Sequence, residues 1–82
     1  MLKEVIYKNG MEVASFPDKA YTVRIVYTNG IALDHGVKSW GAAKRWVMRG
    51  AKAEMPYLEA QGRLWFAVFH NPTKTVVDYV IY

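Results

Sequence analysis

Helical periodicity is confined to one stretch of this chain, about residues 39–54, and strand-like patterning fills most of the sequence on either side of it. A chain ordered as strands, one helix, then strands has few ways to bury the helix's apolar side. The reading is α+β: an antiparallel sheet of five or six strands with one amphipathic helix packed on one face, in the order β-β-β-β-α-β-β. All of residues 1–82 fall in a single domain, since no linker or low-complexity stretch interrupts them.

The limits of the helix follow from local chemistry. Ser39 can cap the first turn with its hydroxyl. Pro56 forces the helix to end at or before Met55. Wound at about 100° per residue, Trp46, Gly50, Ala43, Val47, Ala51 and Trp40 fall on one arc, and Lys44, Met48, Lys52, Arg45 and Arg49 on the other. The first arc belongs on the sheet and the second in water.

Strands are expected at 2–8, 11–16, 20–28, 31–34, 64–70 and 75–82. Asn9-Gly10 and Asn29-Gly30 each follow a β-branched and aromatic run, a strong signal for a two-residue type I′ hairpin. Tyr21, Val23, Ile25 and Tyr27 share one strand face, and Thr22, Arg24, Val26 and Thr28 the other. Leu64–His70 is nearly all apolar, as in a central strand buried on both sides. Residues 57–62 fit either a short helical turn or an edge strand.

Charge is distributed unevenly. Between Asp34 and Glu54 there are five bases (Lys38, Lys44, Arg45, Arg49 and Lys52) and no acid. The rest of the chain carries six bases against seven acids, so the net charge of +4 originates in that window. Arg45 and Arg49 repel at i,i+4, which costs an isolated helix roughly 0.2–0.5 kcal/mol. Such a face either borrows acids from elsewhere in the fold, with Glu4, Asp34 and Asp78 as candidates, or meets an anionic partner.

Little else reads as chemistry. There is no cysteine, so disulfides and thiolate metal sites are excluded, and a reducing, cytoplasmic compartment is expected. His35 and His70 fall short of a zinc ligand set. Ser39, His35 and Asp34 crowd around the helix start, where a relay is hard to build, and Ser15 sits in no nucleophile elbow. Glu54 and Glu59 straddle Pro56 and form no acid/base pair. No catalytic residue, metal or cofactor is assigned, and the expectation is a non-enzymatic binding protein.

The expected contact surface is Lys44, Arg45, Met48, Arg49 and Lys52, with Trp40 at its edge, because Arg, Met and Trp are enriched at protein interfaces. An acidic protein surface is the favoured partner. Direct nucleic-acid binding is the alternative, with the helix on phosphates or Trp65, Phe69, Tyr21 or Tyr27 stacking on bases. An enzyme with a site assembled from distant residues is a second alternative. No membrane contact is expected, since the apolar arc is needed for the core. A homodimer through the sheet edge at 75–82 is a further option. No motif identifies a family. In profile alone the chain is similar to small phage-encoded inhibitors of host machinery, anti-CRISPR proteins included, which implies stoichiometric inhibition of a nucleic-acid-handling complex.

Overall fold

A computed structural model describes residues 2–14 and 16–82. Ser15 therefore lies outside the described residues. The order of elements is α1 (Leu2–Ile6), a 3-10 turn (Lys8–Gly10), β1 (Tyr21–Val26), β2 (Ala32–Val37), α2 (Trp40–Ala53), α3 (Met55–Gln61), β3 (Trp65–His70) and β4 (Thr75–Ile81). The fold is α+β, with four strands in one antiparallel sheet of order β2-β1-β3-β4.

The expected strands at 2–8 and 11–16 are not part of this sheet. Leu2–Ile6 is helical, and the backbone at Asn9-Gly10 turns through a 3-10 helix instead of a hairpin. Five residues are too few for periodicity to separate helix from strand. The helical choice puts Leu2 and Ile6 on one side, four residues apart, where both join a cluster with Ala67 and Phe69. Residues 11–14 are irregular because their backbone groups are bound elsewhere. The carbonyls of Met11 and Glu12 accept from Arg24, and the Ala14 N–H donates to Asp34.

Both faces of the sheet are thus covered. On one, α2 packs Ala43, Val47 and Ala51 against Val23, Phe66, Val68 and Leu64. On the other, α1 and the irregular segment lie over Ala67 and Phe69. Strand β3 is central and buried through most of its length, as its composition requires.

The opposite face is organised by Arg24, whose side chain is fully buried. All five guanidinium N–H groups are used. Nε and Nη2 donate to the Asp34 carboxylate at 2.6 and 2.8 Å. Nη1 donates to the carbonyls of Ile6 and Met11, each at 3.0 Å, and Nη2 also to that of Glu12 at 2.8 Å. An arginine buried with every donor satisfied fixes the N-terminal segment on the sheet.

Asn29-Gly30 does form a turn, but not of type I′. Gly30 has φ of 94°, while the described non-glycine residues with positive φ are limited to Lys74, so Asn29 is not in the left-handed region. The Gly30 N–H donates to the Tyr27 carbonyl, and the Tyr27 N–H to that of Ile31. This is a three-residue loop ending in a left-handed glycine. The β3–β4 connection repeats the device with a less suitable residue: Lys74 takes the left-handed position at φ of 56° and donates its N–H to the Asn71 carbonyl. Lys74→Gly is expected to raise stability by about 1 kcal/mol in urea titrations, because a side chain there costs about 1–2 kcal/mol before the entropy lost by glycine.

Candidate functional site

Helix α2 takes its predicted limits. The Ala42 N–H donates to Ser39 Oγ at 3.1 Å, and Pro56 stands in the first turn of α3. Residues 57–62, ambiguous in sequence, complete α3 and its cap, and Tyr57 tethers that helix to the β1–β2 loop by accepting the Thr28 N–H at 2.8 Å.

The apolar arc is narrower than its sequence suggests. Ala43, Val47 and Ala51 are buried, but Trp46 and Trp40 lie at its two margins, 39% and 37% exposed. Trp46 stacks flat on His35 of β2, with ring centres 3.8 Å apart. Trp40 packs against Tyr21, and Lys44 Nζ sits 5.0 Å from the centre of its ring.

The predicted contact residues are brought together on the outer side of α2, with one division. Lys44 is drawn to the β4 side by Asp78, at 3.7 Å, so one of the candidate acids is indeed recruited. Asp34 is held by Arg24 on the far face of the sheet. Among the described residues no ion pair reaches Arg45, Arg49 or Lys52, and all three are exposed. Met48, in their midst, is 68% exposed, the most open of the large apolar side chains described.

Beside this face lies a groove of about 480 Å³, floored by Ile25, Leu33 and Phe66 and walled by Trp46, Arg49 and Gly50. The sequence did not disclose it, and its origin is dimensional. A helix is about 10–12 Å across, whereas the outer strands of a four-stranded sheet are about 14 Å apart, so one helix leaves a margin bare. Gly50 sets the position of α2: a Cβ there would lie 3.0 Å from the Phe66 ring, so its absence lets the helix sit low over β3. Leu33 of β2 is left 56% exposed. At one end of the groove, burial and then the Glu54 carboxylate hold the Tyr27 phenol above its ordinary range.

The groups weighed for catalysis do not converge. Ser39 Oγ is spent on the helix cap, His35 on the Trp46 stack, and Asp34 on Arg24. His70 Nδ1 shares a hydrogen bond with Thr73 Oγ1 at 2.8 Å. No cluster of three His, Cys, Asp or Glu suited to a metal occurs among the described residues. Phe69 and Tyr21, weighed as base-stacking platforms, are engaged in packing, and Tyr27 meets Tyr57 edge-on. None of the described helices is long and apolar enough to cross a membrane. The chain matches no protein family, no curated protein and no solved structure.

Proposed function

We propose that this protein is a non-catalytic binding module that acts by stoichiometric contact with an acidic macromolecular surface through the outer face of α2. The observation that carries this reading is the set Arg45, Arg49 and Lys52, exposed and without an acid in ion-pairing range among the described residues, arranged around the open side chain of Met48. Charge of one sign steers an acidic partner into contact. Met48 then supplies an adaptable apolar centre of the kind that carries interface energy. An acidic protein is the favoured partner, as for an inhibitor that binds an acidic surface of a nucleic-acid-handling complex.

Met48→Ala separates the protein reading from direct nucleic-acid binding. At a protein interface centred on Met48 it weakens binding by about 2 kcal/mol, near thirtyfold, with the fold unchanged because the side chain touches no core. Against a nucleic acid held by phosphate contacts it has little effect, while log affinity falls with log salt at about −0.9 per contacted phosphate. Affinity capture from lysate, with and without nuclease, followed by titration of the captured partner with wild type and Met48→Ala, makes the measurement. A partner lost on nuclease treatment and indifferent to Met48 contradicts the protein reading.

A further inference from the structure

We infer that the groove between α2 and β2 receives a single large apolar side chain from an acidic segment of the partner, whose flanking carboxylates meet Arg45 and Arg49. The inference rests on the binding role proposed for α2 and specifies what that surface recognises.

Three observations converge. The groove and the basic face are continuous, because Arg49 belongs to both. The groove is apolar over its floor, with Ile25, Leu33 and Phe66, and Trp46 forms one wall. Of the acids along it, Asp34 is bound by Arg24, while Glu54 stands at the end that holds Tyr27. A carboxylate that flanks an apolar anchor on the α2 side is met by Arg49, which lines the groove and has no ion-pair partner among the described residues.

The groove suits an anchor on a larger surface better than a free small molecule. Its volume lies in the range of ligand pockets, but such pockets enclose most of their ligand. Here Leu33 in the floor is 56% exposed and Trp46 in the wall 39%. A side chain delivered by a protein segment needs only a partial enclosure, since the neighbouring contacts exclude water around it. The Trp46–His35 stack gives that side chain a fixed aromatic edge to lie against.

The test is an amide chemical-shift titration of the intact protein with synthetic peptides. One peptide carries four Glu residues on each side of a central Phe; a second has Ala at the centre; a third has Lys flanks around Phe. Benzoate serves as a small-molecule probe. The Phe-centred acidic peptide is expected to shift the amides of Leu33, His35 and Gly50 together with those of Arg45 and Arg49. The Ala-centred and Lys-flanked peptides are expected to bind at least tenfold more weakly. Leu33→Glu, at an exposed position that tolerates charge, is expected to weaken the Phe-centred acidic peptide at least tenfold with an unchanged melting temperature. Equal binding of the Phe- and Ala-centred peptides on α2, indifferent to Leu33→Glu, overturns the groove inference and leaves the α2 face standing. Benzoate filling the groove as tightly as the peptide overturns it too, in favour of a small-molecule pocket. Absence of shifts on α2 with any acidic peptide overturns both readings.

Discussion

Arg24→Met is expected to lower stability by about 3–5 kcal/mol, the largest effect of any single substitution in this protein. The cost comes from what is left behind. Asp34 would remain nearly buried, at 5% side-chain exposure, without its cation. The carbonyls of Ile6, Met11 and Glu12 would lose their donors, and the segment before β1 would lose what holds it to the sheet. A domain of this size has roughly 4–12 kcal/mol in total, so the variant stands near unfolding at ambient temperature. Arg24→Lys is not a conservative rescue. An ammonium offers three donors where five are used, and it cannot form the two parallel bonds to Asp34. Urea denaturation of both variants, with amide exchange on residues 2–14, checks the account. Loss of stability with normal protection of that segment would mean that Arg24 does not anchor it.

The sequence concealed Arg24 for a geometric reason. A type I′ turn centred on Asn29-Gly30 would set residue 28 opposite 31 and therefore Arg24 opposite His35. The observed three-residue loop moves the register by one and sets Arg24 opposite Asp34. A slip of one residue exchanges the two faces of a strand. With the turn misjudged, Asp34 falls opposite Ile25 on the other face, and the Arg24–Asp34 pair at the centre of the second core does not show. The N-terminal strands failed with it, because nothing local to residues 2–16 announces that its carbonyls are claimed by an arginine further along.

What was legible followed from strong periodicity or from side-chain chemistry confined to a few residues. The cap at Ser39, the break at Pro56, the central position of β3 and the outward face of α2 each rest on interactions within a turn or one strand. The groove was not legible. It depends on the ratio of helix to sheet width and on how low Gly50 lets α2 sit, neither of which any short segment encodes.

The second large effect concerns α2. The triple variant R45E/R49E/K52E is expected to lose at least a hundredfold in affinity for an acidic partner, since attraction becomes repulsion across the whole contact. Stability should change little. The like-charge pairs at i,i+4 and i,i+3 persist with their sign reversed, and acids near the helix C-terminus oppose the dipole by some tenths of a kcal/mol. The triple glutamine variant R45Q/R49Q/K52Q removes charge without introducing repulsion and should fall between the two in affinity. Lys44 is left in place because Asp78 and Trp40 already engage it, which makes it part of the fold's own electrostatics.

The central claim is that the outer face of α2 is a contact surface for an acidic protein. Its most direct test is parallel capture from nuclease-treated lysate by wild type and by R45E/R49E/K52E, after both are shown to melt alike. The account predicts an acidic protein retained in stoichiometric amount by wild type and absent from the variant. Equal retention by the two would contradict it.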